Sequence, residues 1–143
     1  MSPPPQPPAP PPVLSIAAGV IEVRGRFLVA RRPQESHAGG TWEFPGGKQR
    51  PGEPIEGTLR REVLEETGLG FGSAVLLHFE EHSYPDRTVA LHFFLCVDPK
   101  GEPEGREGQD LRWVTVDELM RLEVPAGNRR ILEILSEQFE GAG

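Results

Sequence analysis

Residues Gly47 to Leu69 read GKQRPGEPIEGTLRREVLEETGL, and this stretch decides the fold. Up to Pro54 it is polar and turn-rich. From Ile55 to Thr67 there is no proline and no glycine but Gly57, and most residues are good helix formers, so the spacing predicts a helix over 55–67. Gly68 falls where a left-handed residue closes a helix. Glu62, Glu65 and Glu66 lie in the last two turns, where the helix dipole favours cations. Glu62 and Glu66 are also a like-charged i,i+4 pair, which Arg60 and Arg61 offset only in part. Two broken local rules on one short helix mark a functional site. Three carboxylates converging on one face suit a hard, oxygen-seeking cation such as Mg²⁺. The competing reading is a solvated glutamate-rich face.

The rest of the chain bounds the answer. It has 143 residues, 22 Asp and Glu against 15 Lys and Arg, a net charge of −7 and one cysteine. Eight of its 16 prolines fall in the first 12 residues. Proline lacks an N–H and fixes φ, so residues 1–12 are expected to be a disordered, polyproline-II-favouring tail. Residues 13–140 are then one domain, long enough for a real core. A lone Cys96 excludes a disulfide framework and a multi-cysteine zinc site. No apolar run is long enough to span a membrane, and the N-terminus lacks a basic region before an apolar run. A sequence pI near 5.1 argues against duplex nucleic acid as a partner. These features lead us to expect a cytoplasmic protein with neither a membrane nor a duplex nucleic-acid partner, and leave open whether it is a monomer or a homodimer.

Val13 to Val23 and Arg26 to Ala30 are apolar and β-branched around Arg24-Gly25 and suggest a hairpin. A short Trp42-Glu43-Phe44 piece follows, with Trp42 and Phe44 expected on opposite sheet faces. Ser73 to Glu81 and Thr88 to Val97 read as strands about the turn Tyr84-Pro85-Asp86-Arg87. Leu111 to Val114 reads as a strand, Thr115 to Glu118 as a capping box, and Asn128 to Phe139 as a final amphipathic helix. This order indicates α/β layering around a mixed sheet. His78, His82 and His92 read as structural residues, Phe93, Phe94 and Cys96 as core.

Gly47, five residues, Glu53, seven residues and then Arg61-Glu62-Val63-Leu64-Glu65-Glu66-Thr67-Gly68-Leu69 resembles the complete box of the Nudix hydrolase family. The resemblance implies an α/β/α sandwich with a mixed central sheet, and a loop–helix–loop that holds divalent metal against a diphosphate. It implies metal and base functions for Glu62, Glu65 and Glu66. Glu53 and Arg61 would brace the loop and helix, and the Gly46 carbonyl would be a further ligand. The cofactor expected is Mg²⁺ or Mn²⁺.

Further matches resemble the MutT branch, whose members remove oxidised guanine nucleotides: Gly19-Val20-Ile21, Arg31-Arg32, His37, Glu43 to Lys48, Tyr84 to Arg87, Glu107-Gly108-Gln109 and Pro125 to Asn128. By that likeness Arg32 lies near the phosphates, Phe44 and Arg87 line the base pocket, and Asn128 reads the purine edge. His37 is read either as a substrate contact or as loop packing, and Glu107 as another metal ligand or water-orienting group. The implied reaction is water attack on the β-phosphorus of an oxidised purine nucleoside triphosphate, with Glu62 as preferred base. Two alternatives stay open: a hydrolase for modified pyrimidine nucleotides or another nucleoside diphosphate derivative, and a binding module without catalysis. Gly127, directly before Asn128, departs from the branch pattern and is expected to bear on where the amide sits.

Overall fold

The computed structural model describes residues 2–7, 12–35, 39–106 and 109–139; His37 and Glu107 lie outside the described residues. The elements run β1 (Val13–Val20), β2 (Glu22–Val23), β3 (Arg26–Arg31), β4 (Trp42–Glu43), β5 (Gly46–Lys48), α1 (Ile55–Thr67), β6 (Ser73–Ser83), β7 (Thr88–Val97), β8 (Leu111–Thr115), α2 (Val116–Arg121), a single 3-10 turn (Ala126–Asn128) and α3 (Arg129–Phe139). Residues 2–7 are exposed and carry no regular structure.

One sheet has the order β5-β1-β7-β6. It is mixed: β1 runs parallel to β7 from Val13↔Thr88 to Val20↔Leu95, whereas its pairing with β5 and that of β6 with β7 are antiparallel. In the second sheet β8 covers one edge of β3, while β2 and β4 pair with β3 at its two ends. Since β8 occupies one edge along its length, β2 and β4 share the other.

The layers follow from alternation along the central strands. On β3, Phe27 and Val29 enter a core cluster with Ile131, Leu132 and Leu135 of α3, while Leu28 enters a second cluster with Leu59 and Val63 of α1. On β7, Phe93 joins the first cluster, and Phe94 and Cys96 the second. Helices therefore cover both sides, giving the α/β/α sandwich with its mixed sheet. Burial pushes the Cys96 thiol up to about 12, which keeps it protonated as a small apolar core group.

Two expectations are corrected. Val13 to Val23 is not one arm of a hairpin: only its end folds back, with Glu22 and Val23 opposite Phe27 and Arg26 and the Ile21 carbonyl accepting from the Leu28 N–H, through Arg24 and Gly25, both at positive φ (53° and 80°). Such a turn matches strand twist, but Val13–Val20, with apolar residues on both faces, needs a central position buried from two sides. Beside β7 it finds one. Trp42 and Phe44 do not point to opposite faces. Both lie in the α3-side cluster, because residues two apart on an extended chain share a side.

Candidate active site

The chemistry-bearing segment is built around α1 and β5. Gly68, at φ 78°, closes α1, its N–H donating to the Leu64 carbonyl. At the other end Pro54 offers no side-chain cap, and Glu53 organises the turn instead. Its Oε1 accepts from the Arg50 N–H (3.1 Å), the Thr58 hydroxyl (2.6 Å) and Arg61 Nη2 (3.0 Å), and its Oε2 from Arg61 Nε (2.8 Å). This two-pronged guanidinium–carboxylate pair is directional as well as strong. The Arg61 bond, followed by those from Thr58 and Arg50, holds the Glu53 carboxyl well below the usual carboxylate range. Glu53, above all, holds the Arg61 guanidinium above its ordinary value.

Arg61 is the hub of the site. Its Nη1 reaches Glu62 Oε1 (2.6 Å) and Glu65 Oε2 (3.4 Å), and its Nη2 donates to the Lys48 carbonyl (3.0 Å). It thus ties the 48–53 loop to the carboxylate face of α1. Arg60 turns away: it donates to the carbonyls of Phe71 and Gly72 and lies 4.5 Å over the Phe71 ring, anchoring the far end of the helix.

Glu62 and Glu66 are laid against β5. The Gly46 N–H donates to Glu66 Oε2 at 3.1 Å. A Cβ on Gly47 would stand 2.4 Å from the Glu62 Cδ, so only glycine lets that carboxylate lie so close to the strand. Glu65, with 41% of its side chain exposed, extends toward Arg61 and toward Arg50 Nη2 (3.8 Å). The three carboxylates share a helix region, but Glu65 stands apart from the two that meet β5. Among the described residues no group of three or more Asp, Glu, His or Cys side chains is arranged to hold a metal. The donor chemistry nonetheless fits a hard divalent cation: the Gly46 peptide and the carboxylates of Glu62, Glu65 and Glu66 offer oxygen donors only.

A cleft of about 500 Å³ adjoins this face, lined by Ala30, Arg31, Arg32, Glu43, Glu66 and Asp110 among others. It brings Arg32 and Glu66 to one space. Arg32 Nη1 lies 3.1 and 3.0 Å from the two Glu43 oxygens. Burial pushes the Glu43 carboxyl up, against the pull of Arg32. A second cavity of similar size, between Val23, Leu69, Pro99 and Trp113, contains none of these groups.

The residues expected near a base lie elsewhere. Phe44 is buried and meets Phe93 edge-on, centroids 6.5 Å apart. Arg87 is exposed in the β6–β7 turn, where its backbone pairs with that of Tyr84. Asn128 is half-buried at the end of the 3-10 turn, its N–H donating to the Pro125 carbonyl. Sequence reasoning passed over Glu80, whose carboxylate lies between His78 Nε2 (3.0 Å) and His82 Nε2. The period-two pattern His78-x-Glu80-x-His82 was its signal.

A profile of the NUDIX domain matches residues 17–134. An 8-oxo-dGTP diphosphatase of Proteus vulgaris is 44% identical over 96 residues, covering 66% of this chain and 86% of that protein. One from Escherichia coli K12 is 34% identical over 120 residues, 83% of this chain and 93% of that one. A CTP pyrophosphohydrolase, also from Escherichia coli K12, is 33% identical over 123 residues, 85% and 90% of the two chains. Among solved structures, a MutT from the study of Aliivibrio salmonicida and Vibrio cholerae superposes with a TM-score of 0.77 at 29% identity. It covers 89% of this chain and 99% of that one. Nudix hydrolases use divalent metal, in keeping with the oxygen donors gathered here. Motif, architecture and relatives agree, and the chain belongs to the NUDIX domain family.

Proposed function

We propose that this protein is a nucleoside triphosphate pyrophosphohydrolase of the 8-oxo-dGTP diphosphatase type, cleaving oxidised purine nucleotides to the monophosphate and pyrophosphate. The observation that carries the reading is the seating of two carboxylates on β5: Glu62, held by Arg61, against Gly47, and Glu66 on the Gly46 N–H. The relatives of 44% and 34% identity supply the substrate class. Residues 13–140 form the hydrolase domain, and the proline-rich segment before it takes no part in the chemistry.

Glu62, Glu65, Glu66 and the Gly46 carbonyl would hold the cation, Mg²⁺ or Mn²⁺. When bound, it offsets phosphate charge and polarises phosphoryl oxygens. Glu62 is the general base and takes a proton from the attacking water, its orientation fixed by Arg61 at Oε1. The new O–P bond forms at the β-phosphorus, the bond to the α–β bridging oxygen breaks, and the nucleoside monophosphate leaves with that oxygen. Arg32 meets the phosphates in the cleft, and Arg87 and Phe44 border the base. Asn128 reads the base edge, since one amide offers both a donor and an acceptor. Glu53 works through Arg61 as a brace.

The CTP pyrophosphohydrolase relative supports a second reading, pyrimidine nucleotides as substrates. Pyrophosphate release measured with Mg²⁺ over a panel of normal and oxidised nucleoside triphosphates separates them. Preference for 8-oxo-dGTP is the expected outcome. A pyrimidine preference favours the second reading, and silence across the panel a binding module.

A further inference from the structure

Strand β6 is the edge of the mixed sheet, and its alternation breaks once. Val75 pairs with Leu95 and Leu76 with Phe94, but His78, not Leu77, pairs with Phe93. The extra residue is Leu77. A bulge reverses which side chains face which way. Beyond it, His78, Glu80 and His82 share the face of Phe93 and Leu91, while Phe79 turns to the other face and packs on His92, centroids 4.8 Å apart.

The three polar residues form one unit. The Glu80 carboxylate takes His78 Nε2 at one oxygen (3.0 Å) and His82 Nε2 at the other. An ionised carboxylate only accepts, so both imidazoles carry their proton on Nε2. Partial burial works to raise the Glu80 carboxyl, but the bonds from the two histidines outweigh it and hold the group below its ordinary value.

This unit joins the two parts of the proposed base pocket. At one end the His78 ring stacks against Phe93, centroids 6.2 Å apart and planes 21° apart, and Phe93 in turn meets Phe44. At the other end lies the 125–128 segment. A Cβ on Gly127 would stand 2.8 Å from Leu91 Cδ1 and 3.7 Å from His82 Nε2. The segment therefore sits down on Leu91 and His82, and a side chain at position 127 would have to displace Leu91 Cδ1. The next residue is Asn128, whose side-chain amide has no hydrogen-bond partner among the described residues.

We propose that His78, Glu80 and His82 are positioning residues for nucleobase selectivity: a hydrogen-bonded strut that, with Gly127 seated on it, sets the height of the 125–128 segment and so the position of the Asn128 amide opposite Phe44. The inference rests on the reading of Asn128 as the base contact, and it gives Gly127 its reason. The strut acts on selection and leaves the phosphate chemistry alone.

The test measures binding of 8-oxo-dGMP and dGMP by calorimetry, and kcat and KM for 8-oxo-dGTP and dGTP, in His82→Ala, His82→Gln, Glu80→Gln and Asn128→Ala. Glu81→Gln, on the opposite face of β6, is the control and is expected to behave as wild type. His82→Ala is expected to lose about 3- to 10-fold of the oxidised-over-normal preference, the scale of one or two hydrogen bonds. The loss appears in Kd and KM, with kcat within about twofold. The Gln side chain can donate to Glu80 from nearly the Nε2 position, so His82→Gln restores most of the preference. Glu80→Gln, which accepts from one histidine and holds the other only if that ring switches to its Nδ1–H tautomer, falls between. If His82→Ala does not fold, the two Gln variants carry the comparison. An unchanged preference in the strut variants, with Asn128→Ala losing it, overturns the strut and leaves the base-contact reading standing. An unchanged preference in Asn128→Ala overturns both. Failure of His82→Gln to rescue, or a fall in kcat without a change in KM, also overturns the strut.

Discussion

The α1–β5 region and the β6 region with the 125–128 segment are both built of carboxylates held by cationic or polar partners, yet they are assembled in opposite ways. Around α1 the bonds described above join residues within 46–66, and one guanidinium, Arg61, touches Glu53, Glu62, Glu65 and Lys48. Around β6 the partners come from four separated parts of the chain: Phe44, the His78–His82 run, Leu91 with Phe93, and Gly127. In the function proposed here the first region performs a reaction common to a family, and the second selects which nucleotide receives it. A contiguous motif suits invariant chemistry, and a composite surface can vary one piece at a time.

The largest effect expected on the catalytic side is that of Glu65→Gln, which nearly abolishes turnover with the thermal midpoint unchanged, a fall of at least about 10³ on the scale of lost metal or base functions. Steady-state pyrophosphate release checks it, and near-wild-type turnover would break the division at its root. Gly47→Ala comes next. Its Cβ must push the Glu62 carboxylate away, and displacement of a reacting group by about 1 Å costs about 10² in rate. Here kcat falls for every nucleotide alike; a change confined to one base would mean that β5 also selects.

Asn128→Ala is expected to act from the other side, lowering the preference for 8-oxo-dGTP over dGTP by about 10-fold with kcat much less affected, the size of a lost two-point amide contact. An unchanged ratio of kcat/KM values removes Asn128 from base recognition.

The smallest effect concerns the brace. The Glu53 carboxyl is held below its ordinary 4.5 by Arg61, Thr58 and Arg50. A carboxylate with a depressed value contributes stability fully above the unfolded value and loses it as pH falls toward the folded one. The Tm gap between wild type and Glu53→Gln should therefore be constant from about pH 6 to 8 and narrow below about 4.5. A gap that widens on acidification contradicts the brace.

The same contrast explains what could be read in advance. The helix over 55–67 and its Gly68 stop follow from local propensity, the β6–β7 pair and its turn from alternation, and the Thr115–Glu118 capping box from a four-residue pattern; all stand in the structure. The hairpin expected of Val13 to Val23 with Arg26 to Ala30 misses the pairing of β1 with β7, because that pairing spans 75 positions, from Val13 to Thr88, and nothing local encodes it. Arg60 and Arg61 look alike in sequence, yet one anchors the helix to Phe71 and the other runs the site. The Glu80 strut escaped notice because Leu77 shifts the alternation by one, and a bulge is set by the partner strand.

The most direct test of this division is the ratio of kcat/KM for 8-oxo-dGTP to that for dGTP, measured with Mg²⁺ in wild type, Glu65→Gln and Asn128→Ala. The account predicts that Glu65→Gln lowers both values by the same large factor and keeps the wild-type ratio, while Asn128→Ala lowers the ratio and spares most of the rate. A ratio altered by Glu65→Gln, or preserved by Asn128→Ala, would contradict it.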